Sequence, residues 1–205
     1  RQDNVKRMLA YSSIAHAGYG LLGLVAVGMA LSGRLEGELA EVALHWGQIS
    51  VVLYMLAYTF TNVGAFALVA FLRREQIAGD QIDDFAGMAQ RAPWYAAAMT
   101  LFMLSLVGIP ATSGFIGKWY LFSATLKAGF GWLAVVAIVN SAISLYYYMR
   151  VVVKMYMSAP ASEVPYALTP AVALAVILAV AGTLVIGLYP QPVLAFVEAT
   201  PILVP

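Results

Sequence analysis

The chain contains no cysteine. This excludes a disulfide, a thiolate metal site, a cysteine-ligated iron–sulfur cluster and a cysteine nucleophile. Charge is also scarce: 10% of the residues are charged, against about 25% in soluble domains. The formal net charge of +1 provides no field that would attract nucleic acid. Any chemistry therefore depends on the few ionisable groups that lie among apolar residues.

Long apolar runs are abundant, since 62% of the residues are hydrophobic and the mean hydropathy is +0.85. A membrane-spanning helix needs about 20 mostly apolar residues. We therefore predict an all-α, polytopic transmembrane helix bundle in residues 1–205. The five predicted spans are about 7–31, 45–71, 94–127, 131–156 and 167–189. The opening RQDNVKRMLAYSS has no initiator methionine and no signal-peptide pattern, so we expect the C-terminal part of a longer protein.

Basic residues are distributed unevenly between the two sides of these spans. The side that holds the N-terminus takes Arg1, Lys6, Arg7, Arg73, Arg74, Arg91, Arg150 and Lys154, whereas the other takes Arg34 and Lys127. Because cytoplasmic loops carry the excess of Lys and Arg, the chain is expected to start in the cytoplasm and end outside. The segment IDDFAGMAQ, residues 82–90, has apolar residues at helical spacing, which predicts either a short interfacial helix or a solvated loop.

Lys118 is the most informative ionisable residue. Gly108, Pro110 and Gly114 interrupt the third span just before it, and proline disfavours a regular helix at the preceding turn. We predict a broken helix, which a membrane tolerates only where the freed backbone groups face protein or water. A lysine at this depth is a functional hypothesis by default. The alternative is a lysine whose side chain snorkels to an interface.

His16 on the first span is the second candidate. Ser12 and Ser13 precede it by four and three residues and so share its helix face. Since histidine passes a proton between its two nitrogens near neutral pH, we interpret it as a relay, with a structural histidine satisfied by its serines as the alternative. Lys6 lies seven residues before Ser13 and is either an interfacial anchor or the entry of a polar path.

Other polar groups in the spans are weaker candidates. Tyr58, Asn140 and Ser144 are predicted to support the two sites, although most such groups only hold helices together. The further candidates are Tyr54, Thr59, Thr61, Asn62 and Ser141. The aromatic run at 146–150 and His45 are typical of membrane interfaces. Neither metal-ligand spacing nor a catalytic triad occurs in the sequence.

Three long motifs carry a family resemblance: NVKRMLAYSSIAHAGY, DDFAGMAQRAPWYAAAMTLFMLSLVGIPATSGFIGKWYLF and NSAISLYYYMRVV. The chain resembles the antiporter-like membrane subunits of respiratory complex I, the NADH:quinone oxidoreductase. The AHAGY and GFIGKWYLF forms point to the N-type subunits within that family. Subunits of multi-component sodium/proton antiporters share the shorter patterns.

The resemblance implies a membrane subunit that moves protons while quinone is reduced elsewhere in the complex. It assigns the proton-exchanging role to Lys118 and places His16 and Lys6 on the same polar axis. It further implies no cofactor in this chain, with NADH, FMN, iron–sulfur clusters and quinone in other subunits, and K-type and M-type neighbours in a lipid bilayer. The expected location is the bacterial inner membrane, with a plastid membrane as the alternative. A sodium/proton antiporter subunit and a non-transporting scaffold remain rival functions.

Overall fold

The computed structural model describes residues 2–74, 80–160 and 169–199. Within these ranges the regular structure is helical, apart from one isolated antiparallel bridge between Asn4 and Gln81. The elements are α1 (Val5–Leu31), α2 (Glu38–Arg74), a 3-10 turn (Ile82–Phe85), α3 (Met88–Arg91), α4 (Pro93–Val107), α5 (Ser113–Lys127), α6 (Gly131–Met157), α7 (Pro170–Leu188) and α8 (Gln191–Glu198). The predicted all-α bundle is confirmed.

Four of these helices, α1, α2, α6 and α7, are long and apolar enough to cross a membrane. The shorter helices α4 and α5 follow one another and together form the third predicted span, so the predicted break near Pro110 is also confirmed. Helix α2 begins at Glu38, earlier than the predicted 45, with Glu38 and Glu41 in its first turn. Acidic side chains there are favoured by the positive end of the helix dipole, which the hydropathy pattern alone does not reveal.

Helix α2 occupies the centre of the bundle and packs against α1, α4, α5 and α7. Small residues allow the close approach. A Cβ added to Gly47 would lie 3.0 Å from the carbonyl oxygen of Gly23 on α1, and one added to Gly117 on α5 would lie 3.1 Å from the Cα of Tyr54. Helices in membranes associate through such close van der Waals packing, so the position of α2 sets the positions of its neighbours.

One end of the bundle gathers the start of α1, the segment 80–91 and the end of α6. Arg150 donates to the Asp3 carboxylate, and Lys154 forms an ion pair with Asp83 at 2.7 Å. The backbone amide of Gly87 also donates to the carbonyl of Lys154 at 3.3 Å. Arg150 and Lys154, two of the basic residues that the sequence assigns to one side, therefore lie together at one end.

The segment 82–90 differs from both predicted alternatives. It forms the turn Ile82–Phe85 and the one-turn helix Met88–Arg91 rather than one interfacial helix or a solvated loop. Gly87 separates the two pieces with a φ of +65°, in the left-handed region that favours glycine. Phe85 and Met88 are buried in the core on either side of it, so the segment closes the bundle end.

Candidate functional site

The break between α4 and α5 leaves backbone carbonyls without helical partners. Helix α4 ends at Val107, and Gly108 caps it with a φ of +92°, which glycine adopts without steric cost. In a continuing helix the Leu106 carbonyl would accept from the amide of residue 110, but Pro110 has no N–H. Two of the predicted break residues thus have distinct roles: Gly108 ends α4, and Pro110 leaves the Leu106 carbonyl without a helical donor.

Lys118, on the second turn of α5, supplies hydrogen-bond donors to the carbonyls at the end of α4. Its Nζ donates to the carbonyl of Leu106 at 2.9 Å, to that of Val107 at 2.8 Å and to Ser141 Oγ on α6 at 2.8 Å. The three donors of an ammonium group are all used, and the residue is 4% exposed. The snorkelling alternative is wrong because the side chain folds back onto the break instead of reaching for an interface.

The groups around Lys118 are neutral. Among residues 2–74, 80–160 and 169–199, no carboxylate forms an ion pair with it. Carbonyl dipoles at the C-terminal end of α4 and the Ser141 hydroxyl stabilise the buried charge instead. An ammonium held in this way can lose its proton without breaking an ion pair.

His16 on α1 lies between tyrosines from two other helices. Its Nδ1 is 2.6 Å from the Tyr54 hydroxyl, and its Nε2 is 3.4 Å from the Tyr148 hydroxyl. The imidazole stacks on Tyr58 with a centroid separation of 4.7 Å and is 4% exposed. Because a hydroxyl either donates or accepts, both neutral tautomers of the imidazole find partners here.

The two serines expected beside His16 act one step further away. Ser12 Oγ is hydrogen-bonded to the Tyr148 hydroxyl, and Ser13 Oγ accepts from the Tyr58 hydroxyl at 2.7 Å. The two nitrogens of the imidazole lie against the hydroxyls of Tyr54 on α2 and Tyr148 on α6 instead. The two serines orient two of the tyrosines that surround the ring.

Tyr19 connects the two ionisable residues. Its ring meets His16 edge-on at a centroid distance of 5.7 Å, and Lys118 Nζ lies 4.9 Å from its centroid. An ammonium over an aromatic face is attracted by the negative charge of the ring face. Lys118, Tyr19 and His16 therefore form one contiguous cluster that joins α5 to α1.

Sequence reasoning missed part of this cluster. Tyr19 was not singled out, although it lies three residues after His16 and so on the same helix face. Tyr148 was assigned to an interfacial aromatic belt, but it is fully buried, whereas the neighbouring Tyr146 is 68% exposed. The signal that separates them is the helical face: Tyr148 shares a face of α6 with Ser141 and Ser144, seven and four residues earlier.

The other residues singled out in the sequence differ in how near they lie to the cluster of Lys118, Tyr19 and His16. Ser144 is buried and donates to the carbonyl of Ser141 at 2.6 Å, so it adjoins the lysine site. Asn140 is exposed on α6 and lines a groove between α1 and α6. Lys6 is half-buried in the first turn of α1 and is not in contact with His16, and His45 is exposed near the start of α2.

The lysine site opens sideways to the surface of the bundle. A groove of about 280 Å³ between α5 and α6 reaches Lys118 and Ser141. Its walls are apolar, with Trp119 and Ile138 exposed at 59% and 50%. The groove thus leads from the surface of the bundle to the buried ammonium group.

Three comparisons place the chain among known proteins. Residues 1–144 match the family described as NADH:quinone oxidoreductase/Mrp antiporter, TM. NADH-quinone oxidoreductase subunit N of Trichlorobacter lovleyi is 44% identical over 199 residues, which are 97% of this chain and 38% of that protein. A chain of respiratory complex I from Thermus thermophilus with bound aureothin is 33% identical with a TM-score of 0.71, over 95% of this chain and 40% of that one.

A third relative belongs to a different kind of complex. A chain of the membrane-bound sulfane sulfur reductase, an archaeal respiratory membrane complex, is 27% identical with a TM-score of 0.73, over 97% of this chain and 37% of that one. The chain thus spans about two fifths of the length of the relatives that it matches.

Proposed function

The chain belongs to the NADH:quinone oxidoreductase/Mrp antiporter transmembrane family, and from this membership we propose that it forms part of a proton-translocating membrane subunit of an NADH:quinone oxidoreductase. The observation that carries the proposal is the buried Lys118, which neutral carbonyl and hydroxyl groups hold at a helix break. The name of the curated relative, subunit N, supports the same complex.

We assign proton exchange to Lys118 and relay to His16. Proton uptake by the lysine creates an ammonium that the break carbonyls stabilise, and its release leaves a neutral amine in the same place. His16 has a hydroxyl group near each ring nitrogen, so it can accept a proton on one side and donate on the other. A charge on Lys118 also acts on its neighbours at kcal/mol strength, because the interior has a low dielectric constant.

The proposal also covers Lys6, the orientation in the membrane and the neighbouring subunits. We infer that Lys6, at the basic end, connects the cluster to the cytoplasm or to a preceding half of the path. The positive charge of the basic end favours a cytoplasmic location for it, and the bacterial relatives favour an inner membrane. Other membrane subunits, of the K and M types, would be the neighbours. The quinone, NADH, FMN and iron–sulfur clusters would belong to other subunits of the complex.

The complete protein in its complex is expected to move protons without sodium. Ammonium, imidazole and hydroxyl groups exchange protons, whereas sodium prefers oxygen ligands and a carboxylate, which is not found beside Lys118 in the described residues. The measurement is NADH-driven acidification of inverted membrane vesicles in sodium buffer and in sodium-free potassium buffer. Equal rates support the proposal, and a strict sodium requirement would favour the antiporter alternative.

Tyr54→Phe is expected to slow proton pumping about fivefold, the equivalent of one hydrogen bond of about 1 kcal/mol. The change keeps the ring but removes the hydroxyl 2.6 Å from His16 Nδ1. Tyr146→Phe, at an exposed position of α6, is the matched control and should pump normally. If the two variants pump equally well, Tyr54 has no part in the relay.

A further inference from the structure

A second polar cluster lies at the helix break and takes no part in the lysine or histidine contacts. It consists of four hydroxyl groups from four helices: Thr61 on α2, Ser105 on α4, Ser113 on α5 and Thr183 on α7. Each of the four residues is at most 1% exposed. We call this set the hydroxyl junction.

Thr61 is the centre of the hydroxyl junction. Its Oγ1 lies 3.0 Å from Ser105 Oγ, 3.3 Å from Ser113 Oγ and 3.5 Å from Thr183 Oγ1. Ser105 Oγ and Ser113 Oγ are also 3.3 Å from each other. One side chain of the central helix thus contacts both halves of the broken span and the helix that packs behind it.

The junction fixes the parts of the break that form the lysine site. Ser105 directly precedes the two residues whose carbonyls accept from Lys118, and Ser113 is the first residue of the helix that carries the lysine. Ser105 Oγ also accepts from the backbone amide of Gly114 at 3.1 Å. The separation between the ammonium and its acceptors therefore depends on these hydroxyl contacts.

The chain between the two halves needs such support. Ala111 has a φ of +71°, in the left-handed region that residues with a Cβ rarely adopt. A conformation of this kind persists only where the surroundings impose it. Helix α7 packs directly on it, since a Cβ added to Gly187 would lie 2.5 Å from the Ala111 carbonyl oxygen. Thr183, one turn earlier on α7, brings the same helix into the junction.

We propose that the hydroxyl junction is a set of positioning residues for proton exchange at Lys118. It holds the end of α4 and the start of α5 at the separation that lets the ammonium reach both carbonyls. This inference rests on the proposed function and adds to it the residues that set the geometry of the exchanging group. Small displacements matter because reactions between positioned groups lose rate steeply with misplacement.

The test uses three variants of the complete subunit in the assembled complex. Thr61→Val removes the central hydroxyl at nearly constant volume, and Thr61→Ser retains a hydroxyl group. Thr59→Val makes the same change on α2 at an exposed position, where the partner of the hydroxyl among the described residues is the carbonyl of Met55 at 2.8 Å. We expect Thr61→Val to pump about fivefold more slowly per assembled complex, with pumping retained in the other two.

Two results would overturn the inference. The first is a Thr61→Val complex that pumps like Thr59→Val, and the second is a Thr61→Ser complex that is as impaired as Thr61→Val. If Thr61→Val fails to assemble, Ser113→Ala takes its place, because that change removes a single hydroxyl from the break and leaves α2 unaltered. Normal pumping by Ser113→Ala would then overturn the inference.

Lys118→Ala is measured in the same series so that the two proposals fail separately. If the Lys118→Ala complex does not pump and the Thr61→Val complex pumps at the rate of the unchanged protein, the junction has no positioning role and the proposed function stands. If Lys118→Ala pumps normally, the proposed function itself is wrong, whatever Thr61→Val does.

Discussion

Lys118→Ala is expected to abolish proton pumping and NADH:quinone activity in complexes that still assemble, with a loss of at least tenfold, or about 1.4 kcal/mol. The change removes the amine at the helix break and leaves the carbonyl of Leu106 without this donor, whereas the carbonyl of Val107 keeps the hydroxyl of Ser141 at 2.8 Å. Pumping is measured as acidification of inverted vesicles, activity as NADH oxidation with a soluble quinone, and assembly on a native gel.

Two control variants separate charge from proton exchange. Lys127→Ala removes an exposed lysine from the same helix and should leave pumping unchanged. Lys118→Arg keeps a positive charge, but arginine does not release its proton in proteins, so this variant is expected to assemble and not to pump. Normal pumping by Lys118→Arg would show that a fixed charge is sufficient. Normal pumping by Lys118→Ala would make the lysine structural.

Gly114→Ala is expected to reduce the amount of assembled complex severely. A Cβ at this position would lie 1.8 Å from the carbonyl oxygen of Ser105, far inside van der Waals contact. Overpacking usually costs about 1–3 kcal/mol, and here the neighbour is backbone, which cannot rotate aside. The start of α5 must therefore move away from the end of α4. The measurement is the yield of intact complex on a native gel, followed by pumping of whatever remains.

Gly28→Ala is the matched control for this effect. Gly28 also lies in a spanning helix, α1, but an added Cβ would meet no described atom within 4 Å beyond the adjoining residues and backbone of its own helix. This variant should assemble and pump normally. If Gly114→Ala assembles and pumps as well as Gly28→Ala, the close contact between the two half-helices is not needed.

Pro110 and Lys118 are two parts of one arrangement. A proline alone would leave the Leu106 carbonyl unpaired in a membrane, where an unsatisfied backbone group costs several kcal/mol. A buried lysine alone would carry an unsatisfied charge. Together each satisfies the other, since the ammonium donates to the freed carbonyl at 2.9 Å. The break is thus stable because a lysine occupies it, and the lysine is tolerated because the break provides acceptors.

The sequence by itself determined the spans, the break and the identity of the two buried ionisable residues. These features depend on local properties: the length of apolar runs, the missing N–H of Pro110, and the rarity of charge in apolar segments. The same local logic assigned most of the basic residues to one side, and the structure gathers two of them, Arg150 and Lys154, at one end with the start of α1.

Only the tertiary structure decided which side chains meet. Whether Tyr148 faces lipid or His16, and whether Thr61 reaches Ser105 and Ser113, depends on how α2, α4, α5 and α6 are rotated and how closely they pack. Those rotations are set by many weak contacts and by close approaches at small residues. The periodicity of one helix does not determine these rotations, because residues separated by tens of positions come together only after the helices have packed.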